Sequence, residues 1–494
     1  MKKQIDNNFV NLILIGVGPH AKRIYFPIYQ KDGYKYKFRI VYGVDLEEKR
    51  NDIEGYLRAR GNSSMKMFFV NNEHKNKEFL TSEIEERLDE IVAKYDVKGV
   101  IIATEPLVHK MYAKWALKKG LSILMDKPIT VNKNLSTSQE DARQLIHDYE
   151  DLSNLYKEAK NKHKRILFSV MTQRRYHPAF NKVKELIGEV FEKTGCPITA
   201  IQINHADGQW RLPSELVDIK YHSYNQGYGK NTHSGYHFFD IISWWLKAAE
   251  SIEKKVNNVD IFTNFLRPAD FIEQINFKDY KKIFNDFDNF NKYGKSELEK
   301  RIREFGEIDA FSSFAFKHNN KTITLGSVNL MHNSFSQRGW VSTRGKDLYK
   351  GNGRVRHESY FIEQGPFQAI SLLSYQSEEI NPKKKGGIYN IGGEYHLDIH
   401  VFRNRGLFEN WKSYEKYSLK DLTKRVMQNH SRGHQEDARR ESVLEFISFL
   451  RGEKIKPVSE LQDHKRGVKL LAGVYISAAR RFNKKNPLVN VVFY

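Results

Sequence analysis

A short apolar run that ends in a glycine turn constrains this chain more than any other feature. Asn11-Leu-Ile-Leu-Ile15 has the continuous apolar character of a strand buried on both faces, and Gly16-Val17-Gly18-Pro19-His20-Ala21 follows it at once. Those six residues fit G-x-G-x-x-[GA]. Gly16 allows the tight turn from strand to helix, Gly18 lets the backbone approach a pyrophosphate, and Ala21 lets the helix pack close to the sheet. A helix start also offers free N–H groups and partial positive charge to phosphates, and Pro19 and His20 lie in that same turn. A second strand, Phe38 to Val44, is closed by Asp45, near the interval of roughly 20 residues expected for a ribose-binding acid. A carboxylate there accepts from both ribose hydroxyls and repels a 2′-phosphate, which favours NAD; Lys49 and Arg50 soften the preference, so NADP is also admitted.

The alternation continues. Helical patterns run around Leu46 to Arg60 and Phe79 to Tyr95, a buried strand covers Gly99 to Ala103, an amphipathic helix His109 to Lys119, and a further strand Leu121 to Met125. This order predicts an α/β fold whose N-terminal domain, residues 1–168, is a Rossmann-type doubly wound parallel sheet. A charged helix from about Thr137 to Lys162 and a strand at Arg165 to Val170 lead to the boundary. Ligands of such sheets bind outside the carboxyl ends of the strands, which is where Asp126-Lys127-Pro128 falls. Pro128 restricts Lys127 to an extended backbone.

Residues 169–494 read differently. Strand-like stretches at Ile198 to Asn204, Ala310 to Phe316, Thr322 to Leu330, Tyr360 to Gln364 and Tyr395 to Phe402 tend to alternate apolar and polar residues. That pattern predicts a second α/β domain on an open, mostly antiparallel sheet with one face covered. Two helices, near Glu436 to Leu450 and Gln462 to Asn483, close the chain. Glu250 to Gly306, rich in Asn, Lys, Asp and Phe, and Gly345 to Gly393, rich in Gly and Lys, read as insertions.

Composition narrows the partners. A chain of 494 residues that is 40% hydrophobic is long enough for two packed domains, and no apolar run reaches the roughly 18 residues of a membrane span. Asn and Asp residues interrupt the start that otherwise imitates a signal peptide, so Phe9 to Val17 reads as a strand. The one cysteine, Cys196, excludes an internal disulfide and a cysteine-built metal centre, and suits a reducing, cytoplasmic setting. The net charge of +21 is spread along the chain, with its densest run at Lys383 to Lys385. Such a spread suits a small anionic substrate, a sugar phosphate or nucleotide sugar, better than nucleic acid. His430 and His434 have the i, i+4 spacing of a metal pair with Glu436 near, but no third ligand accompanies them and no metal is expected.

Several blocks together carry a resemblance. Ala103-Thr104-Glu105-Pro106-Leu107-Val108-His109, then Ala116-Leu117-Lys118-Lys119-Gly120, then Asp126-Lys127-Pro128 resemble the A-T-x-x-x-x-H, A-L-x-x-G and E-K-P blocks of the Gfo/Idh/MocA oxidoreductases. Arg174-Arg175-Tyr176-His177-Pro178 is similar to the block that opens that family's second domain. Gly227-Tyr228-Gly229 followed by His233-Ser-Gly-Tyr-His237-Phe-Phe-Asp240 resembles its glycine cluster and D-x-G-x-H-x-x-D. A last similarity lies around Pro457-Val458-Ser459 and Ala472 to Ser477.

The resemblance implies an NAD(P)-dependent oxidoreductase that moves a hydride between nicotinamide and a carbinol or carbonyl of a sugar, inositol or nucleotide sugar. It implies Lys127 and His237 as catalytic residues. Gly16, Gly18, Pro19, His20, Ala21, Asp45, Thr104, His109 and Lys127 fall on the cofactor side; Arg175, Trp210, Arg211, His233 and Asp240 fall on the substrate side. It further implies a homo-oligomer, dimer or tetramer, assembled through the exposed face of the second sheet. Chemistry supports the two catalytic roles independently: a histidine suits removal of a hydroxyl proton as hydride leaves, and an ammonium stabilises developing alkoxide. Departures are present. Asp126 stands for the family's Glu, His233 for its Asp, and the glycine cluster is partial. These leave two alternatives in view, an NAD-dependent glycosidase-like enzyme with no net redox change and a non-catalytic NAD-binding sensor.

Overall fold

The apolar run at the chain start forms β1 (Val10–Ile15), with all six side chains buried. In this computed structural model, residues 8–61, 65–219, 222–336, 355–377, 387–423 and 434–494 are described. β1 lies between β2 (Phe38–Leu46) and β4 (Val97–Ile102); β3 (Lys66–Val70), β5 (Ser122–Asp126) and β6 (Phe168–Met171) complete a six-stranded sheet. Its order is β3-β2-β1-β4-β5-β6, and every pairing is parallel. The order reverses between β1 and β4, the switch point at which such sheets bind ligands. β3 has no counterpart in the sequence reading, because only its last residue, Val70, is fully buried and the apolar signal is weak.

The second sheet has nine strands in the order β14-β13-β12-β11-β7-β10-β9-β8-β15. They are β7 (Ala200–Asp207), β8 (Asn258–Leu266), β9 (Asp309–His318), β10 (Lys321–Met331), β11 (Val355–Gln364), β12 (Gln368–Ser377), β13 (Asp398–Arg403), β14 (Tyr414–Ser418) and β15 (Val489–Val492). All pairings are antiparallel except β7 with β10. One face is covered by helices, including Pro178–Thr194, Tyr236–Ala248 and Lys465–Phe482, whose residues are extensively buried. Helix Lys465–Phe482 lies so close to the sheet that a Cβ on Gly473 would come within 2.4 Å of the Ile261 side chain.

The two supposed insertions require correction. The stretch 250–306 holds β8, a strand paired on both sides, and then four short helices between Pro268 and Ile302. The stretch 345–393 holds β11 and β12, the hairpin next to β7 at the centre of the sheet. Both strands alternate polar and apolar residues, so their composition imitates a loop while their outward residues are polar by necessity. Residues 337–354 and 378–386, with the basic run Lys383 to Lys385, lie outside the described residues.

The chain groups into two compact units. The first comprises Met1–Val131, Ile146–His177 and His434–Lys465; the second comprises Asn132–Leu145, Pro178–Gly433 and Arg466–Tyr494. The return of helix His434–Leu450 to the first unit has an evident cause. Its Arg440 makes a two-pronged ion pair with buried Asp32 at 2.7 Å for each nitrogen, and its Glu445 accepts from Tyr176 at 2.6 Å.

Candidate active site

Within the first unit, the glycine turn has the shape its sequence demands. Gly16 has φ +93°, and a Cβ there would lie 2.5 Å from the Ala103 carbonyl oxygen. The turn is therefore closed by the end of β4 and cannot hold a side chain. Gly18 is the opposite case: a Cβ there would meet nothing within 4 Å. That open space above a backbone turn fits a dinucleotide pyrophosphate. Asp45 Oδ2 accepts the Val17 amide at 2.6 Å and Oδ1 accepts the Leu46 amide at 2.7 Å. Burial pushes the Asp45 carboxyl above the usual carboxylate range, while these two amides act against that rise.

On the other side of the switch point, β5 ends in Asp126. Its Oδ1 accepts the Tyr25 hydroxyl at 2.8 Å and its Oδ2 faces His20 Nε2 at 3.3 Å. Burial alone would raise this carboxyl; the His20 ring, the Tyr25 hydroxyl and His109 outweigh it and hold it below the usual range. The shorter acid in place of Glu is thus matched by partners that reach up to it. Lys127 follows, half-buried, with a cis peptide to Pro128. His109 lies beneath: Nδ1 is 3.0 Å from the Pro128 carbonyl and Nε2 3.2 Å from the Thr104 carbonyl. Burial lowers its pKa. A neutral ring donates to one of these carbonyls at a time, so His109 ties the turn after β4 to the segment that carries Lys127.

Arg175 sits elsewhere than expected for a substrate ligand. It is buried, and its guanidinium donates to the Val458 carbonyl at 3.1 Å and lies 3.8 Å from the Asp463 carboxylate. It fastens the segment after helix His434–Leu450 within the first unit. Thr172 and Ser459, 2.7 Å apart, and Ser459 and His464, 2.9 Å apart, complete that junction. His434 is also engaged there, 2.6 Å from His177 Nε2 through its Nδ1; His430 lies outside the described residues.

The second unit carries His237 and Asp240, both buried, on the first turn and a half of helix Tyr236–Ala248. A π-helical turn, Asn231–Gly235, leads into this helix and holds His233. The wider turn is anchored by Glu307, which is fully buried. Its Oε1 accepts the Asn231 amide at 2.8 Å, Asn231 Nδ2 at 3.1 Å and the Tyr475 hydroxyl at 2.8 Å, and its Oε2 accepts Ser136 at 2.9 Å. Burial raises its pKa, against the pull of those donors.

Next to this turn, buried Lys230 pairs with buried Asp207 at the end of β7. His332, at the end of β10, places Nε2 3.4 Å from the same Asp207 oxygen and Nδ1 2.8 Å from the Tyr224 hydroxyl. The His332 and Asn333 amides donate to Asp309 at 2.8 and 2.9 Å, and burial pushes the Asp309 carboxyl up to about 6. His233 lies among rings: 4.5 Å from His222, 6.0 Å from Tyr224 and 6.3 Å from His332, centroid to centroid. A histidine at 233 carries no negative charge, but its stacked neighbour His332 borders the Asp207 carboxylate.

Trp210 packs against the short helices that follow β8. It stacks on Phe284 at 5.5 Å and on Tyr280 at 6.4 Å, and its indole N–H donates to the Tyr280 hydroxyl at 3.2 Å. Arg211 is buried and donates to Gln209 at 3.0 Å. The sequence reading did not single out Lys230, Glu307 or His332. Lys230 directly follows the glycine cluster and is in principle findable; Glu307 comes directly after the stretch Glu250 to Gly306, and His332 has no local pattern at all.

A six-stranded parallel sheet with a glycine turn after β1, an acid after β2 and open space over Gly18 is an NAD-binding Rossmann unit. Residues 11–169 match the model of the Gfo/Idh/MocA oxidoreductase family, described as an NAD-binding Rossmann fold. No curated protein sequence matches the chain. Solved structures share its fold across nearly the whole length. The aldose–aldose oxidoreductase from Caulobacter crescentus is 12% identical, with a TM-score of 0.54 over 98% of this chain and 99% of that one. An oxidoreductase from Agrobacterium radiobacter, in complex with NAD+, L-tartaric acid and magnesium, is 13% identical, with a TM-score of 0.54 over 98% of each chain. The WlbA dehydrogenase from Bordetella pertussis, in complex with NADH and UDP-GlcNAcA, is 12% identical, with a TM-score of 0.51 over 98% of each chain.

Proposed function

We propose that this protein is an NAD-dependent dehydrogenase or reductase acting on a carbinol or carbonyl carbon of a sugar-like substrate, with an anionic group such as a nucleotide diphosphate as the preferred handle. The observation that carries the reading is the buried helix start with His237 and Asp240, set on the Glu307-anchored turn beside the Asp207–Lys230 pair, in a chain whose first unit is an NAD-binding oxidoreductase domain. Buried charges assembled around a histidine at a helix start are costly, and such clusters concentrate at functional sites. Two solved structures of the same fold hold sugar-related or hydroxy-acid ligands, UDP-GlcNAcA and L-tartaric acid.

The residue roles follow from chemistry. The bound dinucleotide supplies the hydride acceptor or donor. Gly16, Gly18, Pro19, His20 and Ala21 hold its pyrophosphate side and Asp45 its adenosine ribose. His109 and Thr104 hold the Lys127 segment in place. Lys127 orients the reacting oxygen and stabilises its negative charge. His237 takes the hydroxyl proton during oxidation and returns it during reduction, a contribution of about 10²–10⁴-fold in rate. Asp240 and His233 contact substrate or orient His237. Arg211 is retained on the substrate side, whereas Arg175 and Trp210 are reassigned to holding their own units together.

Oligomerisation belongs to the same reading. The uncovered face of the second sheet carries Phe311, Leu325, Phe361, Phe402 and Tyr414, all exposed and on the same side of the register. A second copy of the chain is the proposed cover. Among the described residues no helix is long and apolar enough to cross a membrane, and the single free cysteine suits the cytoplasm.

The test is turnover followed at 340 nm with NAD and NADP across polyols, aldoses, sugar phosphates and nucleotide sugars, beside Lys127→Ala and His237→Ala. A signal with one substrate class, lost in both variants, supports the reading. Tight NAD binding with no redox signal on any substrate rejects it in favour of a glycosidase-like or sensor role.

A further inference from the structure

The amino ends of the parallel strands, opposite to the glycine turn, carry a set of side chains that the reaction scheme does not use. The Val10 amide donates to the Lys37 carbonyl at 2.8 Å, which sets Phe9, just before β1, against the turn that leads into β2. The Phe9 and Tyr34 rings stand 6.3 Å apart, centroid to centroid. Lys37 Nζ lies 4.3 Å from the centre of the Tyr34 ring and 5.2 Å from that of Phe9, and the Arg39 guanidinium lies 5.5 Å from Phe9. Arg39 also donates to Asn11 at 2.6 Å, and Asn11 donates to the Tyr95 carbonyl at the end of helix Ser82–Tyr95. The Tyr95 ring has Lys66 at 5.8 Å and Lys94 at 6.0 Å, and Lys35 lies 5.1 Å from the Tyr36 ring.

The charge in this patch is lopsided. Its carboxylates are matched: Asp96 pairs with Lys98 at 2.6 Å and Asp32 with Arg440 at 2.7 Å. Among the described residues Lys35, Lys37, Arg39, Lys66 and Lys94 are in no ion pair; they face rings or an amide oxygen. A ring attracts a cation without cancelling its charge. The sequence spreads its cations along the chain, and the fold gathers these five from three separate stretches. In their midst the Tyr34 ring is 80% exposed. A single exposed ring is ordinary; an exposed ring framed by five unneutralised cations is not.

We propose that this patch binds single-stranded nucleic acid, with the cations on backbone phosphates and the Tyr34 ring stacked on a base. Single strands are held by this combination of a cationic track and aromatic platforms, and only a single strand offers its base faces. A duplex keeps its bases stacked on one another, and a membrane surface calls for a wider apolar area than one ring. The site is separate from the cofactor site. β1 is six residues long, about 20 Å, and runs from this patch to the glycine turn.

The experiment is fluorescence anisotropy of labelled oligo(U) and oligo(dT), about 12 nucleotides long, with the whole protein. The variants are Tyr34→Ala, Lys35→Glu/Lys37→Glu and, as an equal change of charge on a helix of the second unit, Lys278→Glu/Lys282→Glu. Each is checked for cooperative thermal unfolding. The wild type binds at about 50 mM salt and weakens steeply towards about 200 mM. Tyr34→Ala raises Kd about five- to tenfold, Lys35→Glu/Lys37→Glu raises it more than about tenfold, and Lys278→Glu/Lys282→Glu leaves it within about twofold. Saturating NAD+ leaves it unchanged. No binding at low salt, an affinity indifferent to Tyr34→Ala, or equal loss in the two charge reversals overturns the proposal. So does a duplex bound as tightly as the single strand, or competition by NAD+, which would move the strand to the glycine turn. Binding to phosphatidylserine vesicles with none to either oligonucleotide overturns it in favour of a membrane surface. None of these readouts depends on which sugar, if any, is turned over.

Discussion

The Val17 amide donates to Asp45 Oδ2 at 2.6 Å, so the acid at the end of β2 holds the glycine turn at the end of β1. One carboxylate thus shapes the glycine turn, and the proposed function gives it the adenosine ribose as well. Asp45→Ala removes both functions. Hydrogen bonds to a charged group are worth about 1.5–3 kcal/mol, so NAD affinity is expected to fall by about 10- to 100-fold, and NADP affinity by much less. Titration of both nucleotides checks this.

Gly16 and Gly18 should separate stability from binding. Gly16→Ala places a methyl against the Ala103 carbonyl at a φ of +93°, and about 2 kcal/mol or more of stability should be lost. Gly18→Ala meets no atom within 4 Å; its stability should stay within about 0.5 kcal/mol of wild type while NAD binding falls. Urea denaturation beside nucleotide titration distinguishes the two.

Asp309 should leave a mark on the pH dependence of stability. Burial raises its carboxyl from an ordinary 3.8 to about 6, so the folded state binds the proton more tightly than the unfolded one. Its contribution is present below the unfolded pKa and is lost as pH rises through about 6. Asp309→Asn keeps an oxygen for the His332 and Asn333 amides and removes the charge. The variant should gain in denaturation midpoint relative to wild type at pH 7.5 and show little or no gain at pH 4.

Glu307 gathers four donors from Asn231, Tyr475 and Ser136 on one buried carboxylate. Glu307→Gln turns an amide N–H₂ towards one or more of those donors, and about 2–4 kcal/mol of stability is expected to be lost. The same substitution should lower kcat more than it raises KM, since it loosens the turn leading to His237 without removing it. Chemical denaturation, and steady-state kinetics on the substrate that the 340 nm assay identifies, measure the two effects.

The exposed apolar face of the second sheet should respond to charge. Leu325 is 61% and Phe402 50% exposed. If a second copy covers them, the double variant Leu325→Lys/Phe402→Glu dissociates to monomer in light-scattering chromatography and keeps its cooperative unfolding. An assembly of unchanged mass would remove this face from consideration.

Much of the first unit was legible because its signals are local. A strand buried on both faces is apolar throughout, as in Asn11 to Ile15 and Val100 to Ile102, and the glycine turn lies within six residues. Strand β8 and the hairpin β11–β12 were taken for parts of insertions, because strands with one solvated face carry as many Asn, Lys, Glu and Ser residues as a loop does. Nothing local to Trp210 records that it stacks on Phe284, more than 70 residues later in the chain.

The sequence by itself determined the glycine turn, the acid at the end of β2, the lysine after β5 and the histidine at a helix start, because each is a demand of backbone geometry or charge over a few neighbouring residues. Only the tertiary structure decided what surrounds them: Tyr25 and His20 on Asp126, four donors on Glu307, Lys230 and His332 on Asp207, and the commitment of Arg175 to the Val458–Asp463 segment. Those pairings join residues far apart in the chain, and burial is what makes each of them obligatory. A charged group removed from water must find a partner wherever the packed fold brings one, and no local pattern records where that is.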